Sequence, residues 1–171
     1  QIATVCRKLA KSLVMGEDIE VKIEKESLAK YLGAPKYRYG TMEESDQVGT
    51  ATGLVWTEMG GDTVPIEVTT MKGKGELILT GQLGDVMQES AKAAMTYVRS
   101  RADVLGLDEN FYRRLDFHIH VPEGAVPKDG PSAGSAITTA IVSALTKIPV
   151  NRTVGMTGEV TLRGKVLEIG G

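Results

Sequence analysis

Apolar residues recur every three or four positions in some stretches and every second position in others, and this change of period divides the chain. Ile2, Val5, Leu9 and Leu13 share one face of a predicted helix, with Arg7, Lys8 and Lys11 elsewhere around the turn and Gly16 as its stop. Cys6 lies among these apolar residues and reads as packing. Ile19, Val21 and Ile23 alternate over a short extended piece, and 27–32 reads as a short helix ended by Gly33 and Pro35. So little helix cannot bury its own apolar face, so residues 1–35 are expected to be the tail of a helical domain. Residues 36–50 lack sustained periodicity and read as a linker.

Strand signals follow at 51–58, 63–71 and 76–80, separated by Gly60-Gly61-Asp62 and Lys72-Gly73-Lys74-Gly75, which predicts an antiparallel meander. Trp56 is expected in its core, and the Lys72–Gly75 piece as a solvated hairpin tip. The longest predicted helix covers 83–105, with Val86, Met87, Ala91, Ala94, Met95, Val98 and Ala102 near one face. Its methionines read as core packing. Asp85 and Glu89 near its start and Arg99 and Arg101 near its end suit the helix dipole. A short helix is expected near 109–114. Residues 116–122 then alternate cleanly, with Phe117, Ile119 and Val121 on one face and His118 and His120 on the other, read as solvated. A buried helix over 135–146 and strands over 153–159 and 160–169 complete the chain. The pattern predicts an α+β or α/β domain over 51–171, antiparallel and mixed strands packed with helices, preceded by a short helical piece.

Pro127-Lys128-Asp129-Gly130-Pro131-Ser132-Ala133-Gly134 is the stretch that carries chemistry. Asp129 or Gly130 suits an N-cap, and Pro131 suits a first turn, where its missing N–H matters least. Ser132 then sits beside backbone N–H groups without intrahelical partners, a place that favours an anion or an oxyanion. Position alone favours an ordinary capped helix. Three chemical readings stay open: Ser132 paired with His118 or His120 and oriented by Asp129, a Ser–Lys dyad, or a loop holding a phosphate. Gly130-Pro131-Ser132-Ala133-Gly134 has the letters of G-x-S-x-G but follows a proline-bearing loop instead of a strand, so an α/β-hydrolase elbow is not supported, and no G-x-x-x-x-G-K-[ST] loop occurs.

Composition narrows the classes. A net charge of −2 without a basic patch gives no sign of a nucleic-acid partner. No apolar run approaches the roughly 20 residues of a membrane helix, and no signal-peptide pattern opens the chain. A single cysteine excludes an intrachain disulfide and suits a reducing compartment, and two histidines with one cysteine make a zinc site a poor fit. Both ends fall within patterned sequence, so the chain is expected to be a piece of a longer protein.

The run from His118 through Pro122-Glu123-Gly124-Ala125-Val126 to Gly134 closely resembles the active-site signature of the Lon proteases. The resemblance continues through Met156-Thr157-Gly158-Glu159 and Thr161-Leu162-Arg163-Gly164. It reaches back to Gly81–Ser90, to Gly53-Leu54-Val55-Trp56-Thr57-Glu58 and to Tyr31-Leu32-Gly33 with Tyr39-Gly40, and so spans nearly the whole chain. It implies a Lon-type α/β protease domain and an ATP-dependent serine endopeptidase acting on unfolded or damaged proteins. Ser132 matches the nucleophile; Thr157 and Glu159 match supporting positions. Asp129, Gly130 and Ala133 would form the oxyanion loop, and Val126 and Lys128 a substrate groove. The family's dyad lysine follows the Gly-Gly that ends this sequence, so Lys165 is not its match and this chain alone is expected to be inactive. Residues 1–35 would end the small helical subdomain of an AAA+ module, 36–50 would link, and 51–171 would be the proteolytic domain. ATP and magnesium would bind outside this chain, which would itself carry no cofactor and no metal. A cytoplasmic hexamer is implied, with neither membrane nor nucleic acid as partner. The alternatives are an inactive assembly fragment and a phosphate-binding small-molecule kinase domain. Glu168 stands where the family usually has proline.

Overall fold

The computed structural model describes residues 1–17, 22–33, 45–57, 60–122 and 127–169. The chain divides into two compact units, Gln1–Tyr39 and Gly40–Gly171. In the first, helix α1 (Ile2–Val14) packs on α2 (Leu28–Leu32), which a 3₁₀ turn at Lys25–Ser27 precedes. Gly33 ends α2 at φ +82°, a left-handed conformation that glycine adopts without strain. No residue of α1 is buried, and α2, on which it packs, spans five residues. Cys6, expected in packing, is exposed. The predicted extended piece around Val21 and most of the predicted linker lie outside the described residues.

The second unit is built on a five-stranded mixed sheet of order β3-β4-β2-β1-β5. The strands are β1 (Thr50–Thr57), β2 (Gly60–Lys72), β3 (Leu77–Thr80), β4 (Leu115–His120) and β5 (Gly155–Met156), and a separate two-stranded ribbon joins β6 (Glu159–Val160) to β7 (Val166–Leu167). The period-two pattern holds on β2, where Val64, Ile66 and Val68 are buried while Thr63, Glu67 and Thr69 are exposed. Helix α4 (Gly134–Thr146) lies across β1 and β2, and α3 (Asp85–Arg99) packs on α4. Phe117 and Ile119 of β4, Val98 of α3, and Ile137 and Ile141 of α4 fill the space between. Among the described residues no helix is long and apolar enough to cross a membrane.

The meander expectation fails at its third strand. β1 and β2 form an antiparallel hairpin, but β3 pairs parallel with β4, which inserts between β3 and β2. Parallel neighbours need a long crossover, and α3 supplies it. The Lys72–Gly75 segment is therefore not a hairpin tip. Asp116 at the start of β4 fixes it: its Oδ1 accepts the N–H groups of Lys74, Gly75 and Glu76 at 2.7, 2.9 and 2.8 Å. Gly73 leaves the room, since a Cβ there would lie 1.9 Å from the Asp116 carboxyl carbon. Trp56, expected in the core, is 82% exposed at the end of β1. The predicted helix at 83–105 is shorter, with turns after Arg99, and the 109–114 helix is a single 3₁₀ turn, Phe111–Arg113.

Two outcomes are expected. Ile137→Ala, at a fully buried site, should cost about 2–5 kcal/mol in denaturant unfolding. The Glu76 N–H, then those of Lys74 and Gly75, hold the Asp116 carboxyl below the usual carboxylate range. A depressed folded pKa contributes stability above the unfolded value, about 3.9, and loses it as pH falls through the folded one. The Tm gap between the unaltered chain and Asp116→Asn should thus be widest above about pH 4 and narrow on further acidification.

Candidate active site

The mouth of α4 is built as the sequence predicts. Gly130, at φ +116°, is the N-cap of a 3₁₀ turn, Pro131–Ala133, with Pro131 first, and the turn runs straight into α4. Ser132 is second in that turn, so its N–H has no intrahelical acceptor. The residue is half-buried.

A bracket from the distal chain holds this mouth. The Gly158 N–H donates to the Ser132 carbonyl at 2.7 Å, and the Gly158 carbonyl accepts the Ser135 N–H at 3.0 Å. The Thr157 hydroxyl points to the same Ser132 carbonyl at 3.4 Å. From α3, the Ser90 hydroxyl reaches the Pro131 carbonyl at 3.4 Å. This close approach requires Gly134, because a Cβ there would sit 2.8 Å from the Val160 nitrogen and 3.0 Å from the Ser90 hydroxyl. Gly158 itself adopts φ +146°.

Asp129 has a different task from the one its sequence position suggests. Its Oδ1 accepts the Met87 N–H at 2.9 Å and the Gly130 N–H at 2.8 Å. It thereby caps α3, at whose N-terminus a carboxylate is stabilised by the helix dipole, and α3 has no side-chain cap of its own. Gly84 makes space, as a Cβ there would lie 2.3 Å from the Asp129 carboxyl carbon. The Gly130 N–H is consequently engaged and not presented to a ligand. Lys128 is likewise committed: its N–H donates to Gln82, its carbonyl accepts from Gly84, and its Nζ donates to Gly81 at 3.2 Å.

In front of the mouth lies a cavity of about 540 Å³. Gly53–Trp56 of β1 and Val64 and Ile66 of β2 form an apolar wall, and 127–133 form another. Asp62, Glu159 and Glu168 add carboxylates, and Ile169 lies beside Glu168. Of the sequence candidates, Ser132, Asp129, Gly130, Ala133, Lys128 and Glu159 all line this cavity. Thr157 touches Ser132 from outside the lining, and Val126 lies outside the described residues. The last described residues, Glu168 and Ile169, share the cavity with Ser132 although 36 positions separate Ser132 from Glu168.

The two histidines are elsewhere. His118 Nε2 and His120 Nδ1 both meet the Thr80 hydroxyl, at 2.9 and 2.7 Å, and neither lines the cavity. With Asp129 turned to Met87, no Ser132–His–Asp129 arrangement is assembled. Sequence reasoning missed three participants. Trp56 was read from apolarity alone, Gly158 as the interior of a strand, and Glu168 only as a departure from a family pattern. A glycine two positions after a strand-like Gly155-Met156 was the one usable signal.

Gly134→Ala should destabilise the chain by about 1–3 kcal/mol in thermal unfolding, through overpacking against the Val160 backbone. Gly61→Ala, where nothing lies within 4 Å of the added carbon, should stay within about 0.5 kcal/mol.

Residues 22–171 match the family model of the Lon protease (S16) C-terminal proteolytic domain. The whole chain is 60% identical over 171 residues to a Lon protease of Brevibacillus choshinensis, of which it covers 22%. It is 59% identical over 171 residues to a Lon protease of Heliobacterium modesticaldum, covering 21%, and 57% identical over 172 residues to Lon protease 1 of Syntrophobacter fumaroxidans, again covering 21%. All of this chain is matched in each case, and it spans about a fifth of the length of these relatives. By sequence over most of its length, the chain belongs to the Lon protease C-terminal proteolytic domain family.

Proposed function

We propose that this chain is the proteolytic part of an ATP-dependent serine endopeptidase, with Ser132 as nucleophile and a lysine supplied by sequence following Gly171. The observation that carries the reading is the shared cavity: Ser132 at a braced helix mouth and, on the same surface, the residues just before the end of the sequence. An amine a few residues further on needs little chain to reach the serine.

In this reading the neutral lysine amine takes the Ser132 Oγ proton as Oγ attacks the peptide carbonyl carbon. The Ser132 N–H faces the developing oxyanion; the Gly130 N–H can join only if the Asp129 carboxylate releases it. The lysine then gives its proton to the departing amine, and water, deprotonated in the same way, hydrolyses the acyl-enzyme. Thr157 positions the lysine, and Glu159 supports it from the cavity wall. Unfolded or damaged polypeptides are the substrates. Residues 1–35 end the small helical subdomain of an AAA+ module, 36–50 link it, and 51–171 form the proteolytic domain. The protein works as a cytoplasmic homohexamer. ATP and magnesium act in other parts of the protein, in keeping with a sequence that contains no G-x-x-x-x-G-K-[ST] motif.

The test is peptide cleavage by a chain extended past Gly171. Ser132→Ala should lower kcat/KM by at least about 10³-fold. A His118→Ala, His120→Ala double variant should keep most of the activity, since both rings bond to Thr80. Unchanged cleavage by Ser132→Ala, or cleavage lost in a folded histidine double variant, would overturn the assignment.

A further inference from the structure

The parallel pairing of β3 with β4 brings together three side chains that lie far apart in sequence. Thr80 ends β3 in register with His120, and His118 stands beside Ile78. His118 Nε2 and His120 Nδ1 both meet the Thr80 hydroxyl, at 2.9 and 2.7 Å, across 38 and 40 positions. A hydroxyl has one proton, so it donates to at most one of these nitrogens and accepts from the other. Thr80 therefore turns both rings toward one point, whichever tautomers they take. Thr80 is exposed and both histidines are half-buried, on the side of β4 away from Phe117 and Ile119, so that point lies at the surface.

The rings are inclined at 74° with centroids 6.4 Å apart, so they do not stack and can take neighbouring corners of one coordination sphere. A nitrogen bound to zinc or a similar ion lies about 2.0–2.1 Å from it, so each ring has less than about 1 Å to close on an ion placed there. Only Thr80 holds them: the other nitrogens, His118 Nδ1 and His120 Nε2, make no hydrogen bond to a described residue. Glu67 of β2 is in register with His120 on the same face and forms no ion pair among the described residues, so its charge favours a cation beside it. Asp116, two positions before His118, is engaged by the N–H groups of Lys74, Gly75 and Glu76.

We propose that His118 and His120, with Thr80 between them, form an exchangeable site for a divalent transition-metal ion. Among the described residues no group of three or more His, Cys, Asp and Glu gathers to hold a metal. The two imidazoles are therefore the strong ligands, and the Thr80 hydroxyl and water complete the shell. Imidazole suits nickel, copper and zinc, and nickel and copper bind such donors more tightly than manganese or iron. Counting histidines and cysteines along the sequence does not reveal the site, because Thr80 reaches the rings only through the β3–β4 pairing. β3 is an edge strand of four residues with β4 as its one neighbour, so a bound ion adds a link at its end. Neither histidine lines the Ser132 cavity, and the site stands whether or not the chain cleaves peptides.

The sequence holds only these two histidines, so their ring signals in NMR report on the site without any substitution. The 171-residue chain, free of a polyhistidine tag, is titrated with nickel chloride, followed by calorimetry and by the two ring signals. The expected result is saturable binding of one Ni²⁺ per chain, with paramagnetic broadening of both rings in step. Saturating Ni²⁺ should also raise the Tm, since an ion bound only by the folded chain stabilises it. His118→Ala and His120→Ala should each weaken binding at least about tenfold, and Cys6→Ser should leave it unchanged. Thermal unfolding without metal checks that each variant is folded. Absence of saturable binding, broadening of one ring alone, binding kept by either folded histidine variant, or binding lost in Cys6→Ser would overturn the site.

Discussion

The hydrogen bonds between Gly158 and the mouth of α4, where the 3₁₀ turn runs into the helix, are the constraint on which the rest of the unit depends. One donates to the Ser132 carbonyl and the other accepts from Ser135, so a single residue of the distal chain clamps both sides of the helix mouth. The clamp exists only because Gly134 has no side chain and Gly158 adopts a positive φ. It sets how Ser132 faces the cavity and where β5 ends. Each of these would shift together if the clamp opened.

A second tie secures the loop before the helix. Asp129 is bound to the start of α3, 42 residues earlier in sequence, and Ser90 of the same helix reaches the Pro131 carbonyl. The loop is therefore referenced to α3 as well as to the distal chain. That arrangement holds the Gly130 N–H on the Asp129 carboxylate, and leaves the Ser132 N–H as the donor at the helix start without an intrahelical partner. α3 thus does two things for the fold: it forms the crossover that makes β3 and β4 parallel, and it anchors the loop carrying the serine.

The parts of this structure that were readable in the sequence are those set by near neighbours. The apolar spacing of 135–146 and the Gly-Pro before it gave α4 and its start, and the long motif around Ser132 gave the family. Alternation placed Phe117 and Ile119 inward correctly, because period two fixes which face a residue occupies. It does not say which strand lies alongside, so β3 was placed next to β2 when β4 lies between them. Trp56 failed for a related reason: an apolar residue on a strand reads the same whether its face is covered or left open. Asp129 and Gly158 act on partners 42 and 26 positions away, and no local pattern encodes such contacts.

The central claim is that the hydroxyl of Ser132 and an amine from the chain following Gly171 meet in one cavity. A determined structure of the chain extended past Gly171 measures this directly, as the separation between Ser132 Oγ and the nearest lysine Nζ. The account predicts hydrogen-bond reach, about 2.6–3.2 Å or slightly longer without substrate. An Oγ turned into the apolar interior, or a lysine carried to the far side of the sheet, would contradict it.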